Sequence, residues 1–206
     1  MVSSSSQAQG AKDSGQVVRP LERYRLLGVV TAVSVVLDQL TKVWARADLR
    51  PIGLKRIIPG YFDLRFSLNE GAAWSFLADA DSTFRRWFFL GTTLAAMALI
   101  ATLYARARMD QKLLRWALAL LFGGAIGNLI DRVREGHVVD FISLHLKDRF
   151  HWATFNVADI AITVGLLLLL FDLLKSRKKI PQGASPAAAT TGERAPGRPR
   201  KRRGRR

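Results

Sequence analysis

Apolar and charged residues are segregated along this chain, and that pattern sets its architecture. Four apolar stretches, at about residues 26–45, 87–104, 113–130 and 155–174, approach the length a helix needs to cross a bilayer. The segment between the first and second, about 40 residues, is too long for a plain connector. Pro51, Gly53, Pro59 and Gly60 punctuate its first part, and residues 61–68 then alternate. Phe62, Leu64, Phe66 and Leu68 fall on one face and Tyr61, Asp63, Arg65 and Ser67 on the other, which is the period of a half-buried strand. Residues 69–76 start like a turn and end as an amphipathic aromatic segment suited to a membrane interface. An ordinary strand-to-helix turn fits that local pattern as well.

Composition sharpens this picture. A hydrophobic share of 49% beside 23% charged residues fits a membrane protein whose charges lie between its spans. The net charge of +16 does not point to nucleic acid, because 12 of the 32 Lys and Arg lie between Lys175 and Arg206, beyond the last span. The run from Arg198 to Arg206 adjoins no folded module or aromatic platform, so no specific nucleic-acid partner is expected, and attraction to anionic membrane lipids fits it better. The chain has no cysteine, which excludes disulfides, thiolate nucleophiles and Cys-based metal sites. His137, His145 and His151 show no metal-ligand spacing, so no metal and no cofactor are expected. The N-terminal stretch lacks an apolar core followed by a small-residue cleavage site, so no cleavable signal peptide is expected. The expected organisation is a disordered cytoplasmic extension (1–22), a four-helix membrane domain (23–176) and a disordered basic cytoplasmic tail (177–206).

Four spans put both termini on one side. With the termini cytoplasmic, that side carries 20 Lys and Arg and the other 11, the arrangement the positive-inside rule favours. This topology brings the polar residues of the spans to one depth. Asp38, Lys42, Asn128, Asp131 and Arg132 fall near the outer ends of the first and third spans, and Asn156 and Asp159 open the fourth. Asp140 and the turn from Asn69 to Gly71 belong to the outer loops. Carboxylates kept at membrane depth are costly and mark chemistry or an ion path, and a shared depth points to one site. Gly123, Gly124 and Gly127 give the third span a small-residue face for close helix packing; no phosphate-binding pattern surrounds them.

Asp140 and Asp159 are the candidate catalytic pair. Two carboxyls close together at a poorly solvated interface share one proton, so one serves as base toward water and the other as acid toward a carbonyl or leaving group. Asn128 and Asn156 can orient such a pair without adding charge. Asp38 and Lys42, four residues apart on one helix face, read as a self-neutralising ion pair or as a brace for a polar site nearby, and Asp131 with Arg132 reads as an ion pair at a helix end.

Five ordered motifs carry a resemblance. Asp38-Gln39-x-Thr41-Lys42, Asn69-x-Gly71-Ala72, Gly127-Asn128-x-x-Asp131-Arg132, Val139-Asp140-Phe141 and Phe155-Asn156-x-Ala158-Asp159 resemble those of lipoprotein signal peptidase (signal peptidase II), over about residues 25–175. The resemblance implies four transmembrane helices with a small periplasmic β-cradle and a short interfacial helix. It implies an aspartic endopeptidase of the bacterial inner membrane that cuts prolipoproteins before their diacylglyceryl-modified cysteine. Asp140 and Asp159 would be catalytic. Asn69 and Gly71 would line the substrate groove, Asn128, Arg132 and Asn156 would hold substrate or the dyad, and Asp38, Lys42 and Asp131 would be architectural. Trp74 stands where the family more often has Phe. The partners expected are lipid-modified precursors and membrane lipids, with the enzyme a monomer. Two rivals remain: a serine–lysine hydrolase built on Lys42 with Ser75 or Ser143, and a small channel or proton-coupled transporter using the same carboxylates, which would need polar groups continuing to the cytoplasmic face.

Overall fold

The computed structural model describes residues 20–71, 81–147 and 149–177. Among them are four membrane-length helices: α1 (Pro20–Trp44), α2 (Ser82–Arg106), α3 (Lys112–Glu135) and α4 (Val157–Arg177). All four are long and apolar enough to cross a bilayer. A π-helical turn, Ala45–Leu49, extends α1. Strands β1 (Leu54–Ile58), β2 (Phe62–Asn69), β3 (Val138–Leu146) and β4 (Phe150–His151) form an antiparallel sheet in sequence order. The expected interfacial helix falls largely on residues 72–80, and the expected extension and tail on 1–19 and 178–206, all outside the described residues.

Helix ends follow from local chemistry. Asp81 caps α2 by accepting hydrogen bonds from the Thr83 and Phe84 N–H groups, and these bonds, Phe84 first, hold its carboxyl below the usual range. Gly136 ends α3 at φ 81°, a left-handed conformation that glycine adopts without a Cβ clash. The third helix thus runs past the expected stop near residue 130 and carries Asp131 and Arg132 in its last turns. Asn156 and Asp159 form a reciprocal capping box at the start of α4: the Asn156 Oδ1 accepts from the Asp159 N–H at 3.0 Å, and the Asp159 Oδ2 accepts from the Asn156 N–H at 3.1 Å.

Helix α3 is the centre of the bundle, packed by α1, α2 and α4. Its glycines permit this. A Cβ on Gly123 would meet Ser34 of α1 at 2.8 Å, and one on Gly124 would meet the Ala158 carbonyl of α4 at 2.5 Å. The small-residue face serves helix packing. Further from the sheet, Val30, Tyr104, Leu118 and Ala119 make an apolar core.

In the sheet, β2 pairs with β3 as Leu64 with Ile142, and then, after a bulge, as Ser67 with Asp140. One extra residue on β2 reverses which of its side chains share a face with Asp140. Ser67 and Asn69 take that face in place of Phe66 and Leu68, and Leu68 is exposed. The strict alternation expected over 61–68 therefore holds only as far as the bulge. Asp140 itself lies on a strand, not in a loop.

Replacing Gly124 by Ala is predicted to destabilise the bundle by about 1–3 kcal/mol, because backbone and side chain of α4 must yield. Gly91 on α2, where an added Cβ would find nothing within 4 Å, is the control, and Gly91→Ala should leave stability unchanged or raise it. Thermal unfolding in detergent reads the difference; equal midpoints for the two variants would contradict this packing.

Candidate active site

Lys42 sits at the centre of the polar layer, fully buried. Its ammonium contacts Asp38 Oδ2, Asp131 Oδ2 and Asn128 Oδ1, each at 2.9 Å, so three acceptors meet three donors. The two carboxylates use their remaining capacity on backbone. Asp38 Oδ1 accepts from the Ala158 N–H at 3.0 Å, and Asp131 Oδ2 accepts from the Val139 N–H at 3.2 Å. Those are the residues immediately before Asp159 and Asp140. Gln39 braces the arrangement from Asp38 and the Gly127 carbonyl, and Arg46 pairs with Asp131 and Glu135.

The two expected ion pairs are thus parts of a larger set. Asp38–Lys42 is one arm of a triad completed by Asp131, and the partners of Asp131 are Lys42 and Arg46 rather than Arg132. Successive helix residues point about 100° apart, which separates Asp131 from its neighbour. Arg132 lies instead with its guanidinium 6.0 Å from the Phe89 ring centre, where it feels the charges of Asp159 and Asp140.

Asn128 and Asn156 connect the triad to the two candidate catalytic carboxyls. Asn128 Nδ2 donates to Asp159 Oδ1 at 2.8 Å. Asn156 Nδ2 donates to Asp140 Oδ1 at 2.7 Å and approaches Asn128 Oδ1 at 3.1 Å, while the Asn156 backbone N–H serves Asp159 Oδ2. A single residue therefore touches both aspartates. On the other side of Asp140, Asn69 Nδ2 donates to Oδ2 at 3.0 Å. The Gly71 N–H orients that amide by donating to Asn69 Oδ1 at 2.8 Å. Gly71 has φ +92°, and a Cβ there would fall 2.2 Å from the Phe89 ring, so both backbone and space call for glycine.

Asp140 is 1% exposed. Burial first, and then the neighbouring Asp159 charge, push its carboxyl up to about 7, against the opposing hydrogen bonds from Asn69 and Asn156 and the charge of Lys42. A cleft of about 310 Å³ opens onto it, bounded by the Ser67–Glu70 segment on one side and Ala153 and Thr154 on the other. Ala153 and Thr154 were not legible as site residues; they carry no ionisable group and follow β4, whose two residues give no period.

The rivals meet obstacles in this geometry. Lys42 has no free proton position from which to activate a serine, Ser143 lies on the sheet face opposite Asp140, and Ser75 is outside the described residues. Between the polar layer and Arg115 at the far end of the bundle, the buried polar groups among the described residues are Ser34 and the Thr31 hydroxyl, set in apolar packing. A continuous ion path has nothing to follow.

Four membrane-length helices with a polar site at one end define a polytopic membrane protein. The family model described as Signal peptidase (SPase) II matches residues 30–175, and the chain belongs to that family of membrane proteases. It is similar to the lipoprotein signal peptidase of Geobacter metallireducens, 46% identical over 156 residues, which cover 76% of this chain and 94% of that one. The lipoprotein signal peptidase of Ralstonia nicotianae is 46% identical over 171 residues, covering 82% and 93%. A bacterial membrane enzyme solved by the in meso method matches the fold with a TM-score of 0.65 at 29% identity, covering 77% of this chain and 93% of the other.

Asp140 is predicted to titrate near 7 in the folded protein, well above the 3.8 of an ordinary aspartate. Asn69→Ala removes a donor that favours the ionised form, so it should move this titration to higher pH. Carboxyl carbon NMR of selectively labelled protein reads it directly; an Asp140 that titrates near 4 would contradict the burial and charge described here.

Proposed function

We propose that this chain is an aspartic endopeptidase that removes the signal peptide from diacylglyceryl-modified prolipoproteins, cutting just before the lipidated cysteine. The observation that carries the reading is the pairing of Asp140 and Asp159 through Asn156 at the end of a membrane bundle. Membership of the signal peptidase II family supports the substrate class.

Asp140, raised to about 7 by burial and by Asp159, holds the proton shared by the pair. Asp159 takes a proton from a water set between the two carboxyls, and that water attacks the scissile carbonyl. Asp140 donates its proton to the carbonyl oxygen as the tetrahedral intermediate forms, and the pair then returns a proton to the leaving amine. Asn69 and Asn156 keep Asp140 oriented, and Asn128 does the same for Asp159. Arg132, which feels both aspartates, is placed to meet substrate carbonyls or the negative charge of the dyad.

The acyl chains of the substrate anchor it in the bilayer and hold its cleavage site at the depth of the cleft beside Asp140, so membrane confinement supplies orientation that a soluble protease takes from a deep groove. The excess of basic residues flanking the termini favours a cytoplasmic location for both ends. The site then faces the periplasmic side of the inner membrane, and the enzyme acts as a monomer.

The test is cleavage of a diacylglyceryl-modified precursor by full-length protein in bilayer discs, beside the same precursor without lipid. Wild type should cut only the lipidated form. Asp140→Asn and Asp159→Asn should each lower the rate by about 10²–10⁴-fold, the usual worth of a general acid or base. Ser143→Ala should keep it. Retained cleavage in both aspartate variants would end the aspartic reading.

A further inference from the structure

The end of the bundle opposite the polar layer also holds a buried cation, and its surroundings differ from those of Lys42. Arg115, in the first turn of α3, is 6% exposed. Its Nη2 donates to the Arg23 carbonyl and, at 3.0 Å, to the Tyr104 hydroxyl, and its guanidinium lies 5.3 Å from the centre of the Tyr104 ring. The Nη1 and Nε groups find no acceptor among the described residues and are not enclosed by them. Arg23 of α1 lies beside it, and its Nη2 donates to the Ala105 and Ala107 carbonyls at the end of α2.

No carboxylate answers either guanidinium among the described residues. The acids described at this end are Glu22, Asp110 and Asp172. Asp110 pairs with Arg108, and none of the three is within ion-pair distance of Arg23 or Arg115. Lys42 is matched by two carboxylates inside the protein, whereas here two cations meet carbonyls and a phenol, and their charge stays uncompensated. Burying a cation is costly unless an anion meets it. Exposed Arg25, Arg106 and Lys112 raise the positive potential of the same region.

We propose that Arg115 and Arg23 form a binding site for the phosphate of an anionic phospholipid, where α1, α2 and α3 meet at the end of the bundle remote from the aspartates. Depth chooses a lipid over a soluble anion. Arg23 stands just before the apolar run of α1, which begins near Leu26, and Arg115 just inside that of α3, which begins near Leu113. The two side chains therefore bracket the boundary between hydrocarbon and headgroups. Tyr24 and Trp116, the next residues in the chain, are 43% and 48% exposed, and aromatic rings of this kind settle at the headgroup level. A phosphate at that height accepts from an unused N–H group of Arg115 in a charge-assisted bond. Under the topology proposed above this is the cytoplasmic end, so the lipid belongs to the inner leaflet.

The site differs in kind from the basic tail. Twelve Lys and Arg between Lys175 and Arg206 attract any anionic surface, and salt screens such exposed charges. A guanidinium that is 6% exposed is screened much less. The bound lipid joins three helices at one end of the bundle, so its effect falls on stability and not on the chemistry at the other end.

The test is thermal unfolding of the full-length protein in neutral detergent micelles doped with phosphatidylglycerol or with phosphatidylcholine. It is run at about 1 M salt, where the Debye length is roughly 3 Å and attraction to the tail is suppressed. The midpoint should rise and saturate with phosphatidylglycerol and stay level with phosphatidylcholine. Arg115→Gln and Arg23→Gln should each need about tenfold more phosphatidylglycerol for the same rise, the worth of one hydrogen bond to a charged group. Arg25→Gln, which removes the same charge from an exposed position, should leave the titration unchanged. A wild-type protein that does not distinguish the two lipids would overturn the site, and that comparison stands even where a variant fails to fold. Equal weakening by Arg25→Gln and Arg115→Gln would reduce the effect to diffuse attraction and overturn it too. So would an equal rise with glycerol phosphate in place of the lipid, which would make this a site for soluble anions. None of these readings depends on whether the aspartates cleave anything.

Discussion

A single buried ammonium holds this site in place. Taking Lys42 out of water costs several kcal/mol, and the cost is offset only because Asp38, Asp131 and Asn128 each meet one of its protons at 2.9 Å. The geometry passes outward from there. Asp38 and Asp131 are each anchored by the lysine, and each in turn accepts the backbone N–H of the residue before one of the paired aspartates. One side chain on α1 thereby sets the position of a strand and of a helix N-terminus that are otherwise distant in sequence. Losing any member would leave a buried charge uncompensated, which is more damaging than never having had the charges at all.

The chemistry of Asp140 follows from this anchoring. A carboxyl that must stay 1% exposed beside another acid cannot ionise cheaply, and its strand has no freedom to carry it into water. Asn69, Asn128 and Asn156 complete its surroundings and those of Asp159 with hydrogen bonds and no net charge. Asp159 differs in its support, being part of the capping box of α4. Two acids of one residue type thus occupy unlike environments, one on a buried strand and one on a helix N-terminus.

Much of this was readable from the residues alone, because the four spans and the five polar motifs are separated by long apolar runs that leave few alternatives. The parts that were not readable have physical causes. Strand β1 is exposed along its whole length and lies among prolines and glycines, so its Leu54–Ile58 run shows no alternation. Strand β3 begins with four buried residues in succession, 138–141, which hides its period until Ile142. The bulge that places Asn69 on the Asp140 face adds one residue without altering the local polarity pattern. The pairing of Asp131 with Lys42 crosses two helices, and adjacency to Arg132 in the chain pointed the other way.

The account stands most directly on replacing the charged triad as a unit. A variant carrying Asp38→Asn, Lys42→Met and Asp131→Asn removes the three charges together and leaves no buried ion unpaired. Its rate of cleavage of a lipidated precursor, measured beside its thermal unfolding, separates positioning from stability. The account predicts a folded protein with a cooperative transition and a cleavage rate far below that of wild type, since the side chains that accept the N–H groups before Asp140 and Asp159 are then no longer held by the ammonium. A variant that cleaves at the wild-type rate would show that the ammonium and its two carboxylates do not hold the site.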